Sequence, residues 1–171
     1  MSNLIDFWFS NEKLWFNCSS EDDEKINQLF GNLVLNYQIN NPNEPDNILY
    51  HILILDQISR HIDRVYSSDY ASKYHSYAVK LSNKLIEEGL NKYNCEEICF
   101  ILMPLRHSNN LDLLNKVLAI ISNLRNKDNN KNNCYLRRFY QATVRSIINF
   151  KVPELDINYS SLDNYQNLLC H

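Results

Sequence analysis

The stretch Ile48-Leu49-Tyr50-His51-Ile52-Leu53-Ile54-Leu55-Asp56-Gln57-Ile58-Ser59-Arg60-His61-Ile62-Asp63-Arg64 decides the fold. It follows a turn cluster, Asn40 to Pro45, and Asp46 stands where a helix N-cap is needed, so a helix is predicted to about Val65. Ile52 to Leu55 is apolar on every face. A surface helix carries one apolar stripe, so one that is apolar all round is central and buried. The charges that follow are therefore unusual. Asp56 and Arg60 are four residues apart, with the acid first, as a helical ion pair prefers. They continue the stripe of Leu49, Ile52 and Leu53, and such a pair is either a buried bridge or the wall of a pocket.

Working outward, other segments show helical spacing. Ser20 followed by Asp23 reads as a cap and an acid at its third position, ahead of Ile26, Leu29, Phe30, Leu33, Val34 and Tyr37. Ser67 or Ser68 is the expected cap of a helix whose stripe is Tyr70, Ala71, Tyr74, Tyr77, Ala78, Leu81 and Leu85, stopped by Gly89. A short helix from about Cys95 to Met103 should end at Pro104, which places His107 on a turn before the next helix. Leu111 to Leu124 and about Leu136 to Phe150 complete the series, with the polar loop Asn126 to Asn133 between them. Short polar turns between consecutive amphipathic helices describe an all-α, single-domain, irregular TPR-like bundle of about six to seven helices over residues 1–171. An N-terminal aromatic segment, 1–18, docks on it, and an irregular tail, 151–171, follows Pro153.

Composition narrows the function. The chain has 171 residues, 44% hydrophobic and 22% charged, which supports one packed core. Only two glycines occur, Gly31 and Gly89, in no phosphate-cradling run, so P-loop and Rossmann sites are excluded. A net charge of -3 offers no general attraction to nucleic acid, and Arg125 to Arg138 with Tyr135 reads as a solvated loop running into a helix. No stretch is long enough to span a membrane, and five cysteines without a leader-like start point to a reducing cytoplasm. Cys95 and Cys99 with Cys170-His171 make a poor zinc set, so no metal and no cofactor are expected.

Asp6-Phe7-Trp8-Phe9, Trp15-Phe16 and Asp23, then Leu55-Asp56-Gln57 with Arg60 and Arg64, then Met103-Pro104 with His107 and Ser108, resemble the mostly bacterial domain-of-unknown-function 924 family. That family shows patterns like DFWF, LLDQFPRNIYR and MPFMHSE. The resemblance implies a TPR-like helical fold in which Asp56, Gln57, Arg60, Arg64, His107 and Ser108 converge on one concave ligand-binding site. Asn109 stands where the family carries a glutamate, and its later A-x-x-H and FGRFPHRN stretch is reduced to Ala142, Arg145 and Phe150-Lys151-Val152-Pro153. The resulting expectation is a binding or interaction module with a depleted polar site, its partner a protein or a small anionic ligand. The alternative is a small-molecule enzyme, of hydrolase type, in which Arg60 and Arg64 clamp an anion and His107 carries a proton.

Overall fold

The computed structural model describes residues 4–15, 18–38, 47–126 and 133–151. The expected turn at Asn40 to Pro45, Phe16, most of the Asn126 to Asn133 loop and the tail beyond residue 151 lie outside them. The described residues are helical, with no strand among them. They are α1 (Leu4–Phe9), a 3-10 turn (Glu12–Trp15), α2 (Ser20–Leu35), α3 (Ile48–Ile52), α4 (Ser59–Tyr66), α5 (Tyr70–Glu88), α6 (Cys95–His107), α7 (Leu111–Arg125) and α8 (Cys134–Lys151). A π-helical segment, Leu53–Ile58, joins α3 to α4, so 48–66 is one continuous rod. No helix is long and apolar enough to cross a membrane among the described residues.

The chain forms two compact units, Met1–His107 and Ser108–His171. In the first, α2 packs along α4 and the π segment, while α5 and α6 close on the rod from other directions. Every residue from Ile52 to Ser59 is buried, as the apolar run requires. Trp8, Ile26, Phe30, Val34, Leu55, Ile58, Ile62, Leu85 and Ile101 join them in one core. The opening aromatic segment docks here: Trp8 is fully buried, with Phe100 edge-on at 5.6 Å between centroids. In the second unit α7 and α8 lie along each other, burying Leu114, Val117 and Ile121 from one and Leu136, Phe139, Thr143 and Ile147 from the other.

The helix ends depart from expectation in ways that matter to the site. The capping box of α2 is Ser19 with Asp22, not Ser20 with Asp23, because the Asp23 carboxylate turns inward to α4. Leu29, one residue before Phe30 and so about 100° round the helix, falls off the buried stripe and is 48% exposed. The rod is capped by Asn47, whose side chain accepts from Tyr50 N. Pro104 does not end α6, which runs through it to His107. A proline inside a helix costs about 3 kcal/mol, and burying Pro104 and Leu105 offsets it, since a fully buried leucine alone contributes about 1.5 to 3 kcal/mol. His107 is therefore the last residue of α6 rather than part of a turn.

Neither Ser67 nor Ser68 caps α5. Ser67 takes a left-handed conformation, φ 51°, and ends α4. Asp63, one turn back in α4, reaches across this corner and accepts from Tyr70 N at 2.7 Å, Ala71 N at 2.9 Å and Ser68 Oγ at 2.7 Å. A carboxylate there also meets the positive end of the α5 dipole. Asp63→Ala is expected to destabilise the fold by about 1 to 2 kcal/mol in urea titrations, the upper range for a lost N-cap. A change within a few tenths would show that water replaces this carboxylate without loss.

Candidate functional site

Among the described residues of the first unit two carboxylates are buried, one on the rod and one on α2. The first is Asp56, 2% exposed, inside the π segment. Such wide turns are rare and concentrate at functional sites. Here Ser59 N–H reaches back five residues to Ile54 O, and the Ser59 hydroxyl donates to Leu55 O at 2.7 Å, the carbonyl an α-turn would have given to Ser59 N–H. Ser59 is thus part of the backbone scaffold and not a free nucleophile.

A buried carboxylate must be met by donors, or its desolvation would force it neutral. His107 supplies Nδ1 at 2.9 Å and 3.0 Å from the two Asp56 oxygens. Arg60 Nη2 stands 3.4 Å from Oδ1, and Gln57 Nε2 donates to Oδ2. Burial pushes the Asp56 pKa up, but His107, Arg60 and Gln57 together win, and it ends below the usual carboxylate range. With Asp56 ionised, Nδ1 of His107 has to carry a proton to face it so closely. Asp56 therefore fixes the imidazole's orientation while the His107 side chain remains 23% exposed. Arg60 is 37% exposed at its side chain, yet its Nε is buried without a partner among the described residues. His75 on α5 lies within electrostatic reach of Asp56 and Arg60, and burial holds its pKa below the histidine norm.

The second carboxylate is Asp23 on α2. Arg64 clamps it with Nε at 2.8 Å from Oδ2 and Nη2 at 2.7 Å from Oδ1, and His61 Nδ1 lies 2.6 Å from Oδ1. Cys18 Sγ is 3.4 Å from the same oxygen. Burial opposes ionisation of Asp23, but Arg64, His61 and Cys18 outweigh it and bring its pKa to about 2. Burial, with the neighbouring carboxylate, lifts the Cys18 thiol to about 11, and burial lowers His61.

Of the residues expected to converge, Asp56, Gln57, Arg60 and His107 meet. Arg64 instead clamps Asp23, with its Nη2 2.7 Å from His61 Nδ1. Ser108 is buried and begins the second unit. His75, Asp23, His61 and Cys18 were not anticipated as polar partners. A signal existed for two of them: Asp23 falls on the α2 stripe with Ile26 and Phe30, and His61 is three residues before Arg64 on one face. Nothing local links them, because 38 residues separate Asp23 from His61.

Residues 4–153 match the family described as "Bacterial protein of unknown function (DUF924)". The chain belongs to this family. No curated protein and no solved structure matches it. Both carboxylate clusters of this DUF924 member lie inside the matched span, so its polar interior is part of the family region rather than an appendage.

Removing Asp56 leaves His107, Arg60 and Gln57 without their common acceptor. Asp56→Ala is expected to lower stability at neutral pH by about 3 to 5 kcal/mol, as for a broken buried pair. The pH dependence has a definite sign. The folded pKa is depressed, so the stabilisation is complete above the ordinary value of 3.8 and lost as pH falls through the lower folded value. Urea denaturation at several pH values should therefore show wild type and variant converging only below pH 3.8. A gap that is already closed at pH 6 would mean the carboxylate is not the stabilising group.

Proposed function

We propose that this chain is a non-catalytic helical binding module, and that the face formed by Arg60, His75 and His107 around Asp56 takes a small anionic ligand. One observation carries the reading. A single buried carboxylate is met by one permanent cation and the His107 imidazole, a second imidazole, His75, lies within reach of their charges, and Arg60 still holds a buried N–H without a partner among the described residues. Donors exceed acceptors there, and an unpaired buried donor costs about 1 to 3 kcal/mol, so a carboxylate or phosphate group is the chemistry that completes the set. The partly exposed side chains of Arg60 and His107 give the ligand access. A TPR-like use of the helices, with partners lying in a groove between pairs, belongs to the same proposal by analogy of fold. So does a cytoplasmic setting, supported by the free thiols of Cys18 and the buried Cys99.

A second reading is favoured by one feature, the Asp56–His107 contact. A carboxylate on Nδ1 orients an imidazole for proton transfer at its other nitrogen, the arrangement of a general base. On that reading the chain is a hydrolase-type enzyme, with Arg60 holding the anionic part of a small substrate. The binding reading is preferred because the nearest hydroxyl on the rod, that of Ser59, is engaged by Leu55 O, and Asn109 replaces the acid of the resembled motif.

Thermal denaturation with inorganic phosphate and with di- and tricarboxylates separates the readings. Ligand that binds only the native state raises the melting temperature by mass action. An increase is expected in wild type and should disappear in Arg60→Gln, a variant whose far-UV dichroism stays helical. If no anion shifts the transition, or if Arg60→Gln responds like wild type, the anion site is wrong. Turnover of a phosphate or carboxylate ester by wild type, lost in His107→Ala with binding retained, would replace the binding reading with the catalytic one.

A further inference from the structure

The Asp23 cluster contains one close contact too many. Oδ1 of Asp23, Nδ1 of His61 and Nη2 of Arg64 form a triangle with sides of 2.6, 2.7 and 2.7 Å. A neutral imidazole nitrogen is either a donor or an acceptor. If His61 Nδ1 donates to Asp23, it has no lone pair to accept the Arg64 N–H; if it accepts from Arg64, it turns a lone pair toward the carboxylate. One of the three short contacts is repulsive in either state. Cys18 Sγ completes the group, 3.4 Å from Oδ1 and 3.5 Å from Nδ1, and the three ligand-type atoms of Cys18, Asp23 and His61 lie within 4.8 Å of one another.

We propose that Cys18, Asp23 and His61 form a site for a divalent transition-metal ion of the zinc class, with the Arg64 guanidinium as its competing occupant. The chemistry of the donors fits: thiolate, imidazole and carboxylate are the three zinc ligand types. The geometry fits on two sides. Bond lengths of about 2.0 to 2.3 Å in a tetrahedron put ligand atoms about 3.3 to 3.7 Å apart. The two sulfur edges already have that length, and only the Oδ1–Nδ1 edge has to open, by about 0.7 Å on the lower bound. A cation at the centre turns all three lone pairs to one purpose and removes the repulsive contact.

Arg64 has somewhere to go. Its side chain is 49% exposed, so Nη2 can withdraw toward solvent while Nε keeps its 2.8 Å bond to Oδ2. It then becomes an outer partner that orients the carboxylate, as metal-bound carboxylates require. The proton balance is simple: the Cys18 thiol releases one proton to solvent, the His61 proton resides on Nε2, and Arg64 stays charged throughout. Three protein ligands leave the fourth position open to water or a ligand. The site differs from the Asp56 face in residues and chemistry, and it stands or falls independently of that reading.

The test uses the purified full chain, stripped with chelator and titrated with Co2+, then with Zn2+ in competition. A tetrahedral Co2+ spectrum with a thiolate charge-transfer band, saturating at one ion per chain and erased by Zn2+, is expected. Cys18→Ser should weaken Co2+ binding by on the order of 100-fold or more, since even outer-shell losses cost 10 to 100-fold, while its dichroism stays that of wild type. Arg64→Gln should tighten binding, because the competing cation is gone and an amide remains to bond Asp23. Equal binding in Cys18→Ser would place the ion at another thiol and overturn the proposal. So would the absence of a thiolate band in both wild type and Arg64→Gln, or weaker binding in Arg64→Gln than in wild type.

Discussion

The constraint on which the first unit depends is an ionised carboxylate held where water is excluded. Asp56 sits in a segment buried from Ile52 to Ser59, and a bare carboxylate there would cost more than the surrounding hydrophobic contacts return. Its charge is tolerated only because α6 ends on His107 with Nδ1 against both oxygens, and because Arg60 and Gln57 approach from the rod itself. This requirement explains the odd features around it. The helix α6 continues past Pro104 far enough to deliver His107, and the wide turn of the π segment is bridged by the Ser59 hydroxyl. Sequence elements that look like breakers are subordinate to meeting one buried charge.

The rod's second polar contact follows the same logic toward a different neighbour. Asp23 enters from α2 and is met by His61 and Arg64 of α4, so the rod is tied to α6 through Asp56 and to α2 through Asp23. Apolar packing alone specifies that these helices touch, but a strip of isoleucines and leucines tolerates sliding. Two ion clusters at fixed positions set the register. The inward turn of Asp23 also explains why the capping box of α2 falls to Ser19 and Asp22.

How legible was this in the sequence? The helices were, because each carries a 3.6-residue stripe, and the central position of the rod followed from Ile52 to Leu55 having no polar face. Gly89 also ends α5 as expected, at φ 99°. Helix ends were less legible wherever the capping group is remote: Asp63 serves α5 from the preceding helix, a role no local motif announces. Pro104 misled because its effect on a helix depends on what burial the following turn gains. For the polar groups, Asp56 with Arg60 was visible as an i,i+4 pair, and the family resemblance added Gln57 and His107. The same resemblance placed Arg64 in that cluster, but four residues beyond Arg60, past the wide turn, its head reaches Asp23. Cys18 and His75 were invisible, since Cys18 meets His61 from 43 residues away and the charges beside His75 stand on other helices.

The two clusters share a construction that bears on how this family region works. In each, the carboxylate is covered and has an imidazole partner, whereas the arginine lies at the edge, its side chain 37% exposed for Arg60 and 49% for Arg64. A fixed anion with a movable cation is a different object from a fully buried ion pair. The buried carboxylate has a histidine partner besides the guanidinium, so under the proposed binding a ligand could exchange with the arginine without stranding the charge that holds the helices together. On the proposed reading, stability and binding reside in different members of one cluster: the carboxylate secures the fold, and the arginine head is the part that changes partners. That separation lets a helical domain of ordinary size carry polar chemistry in its interior without a loop-built pocket, and it directs the search for function to the arginine side of each cluster rather than to the acids that first attract attention.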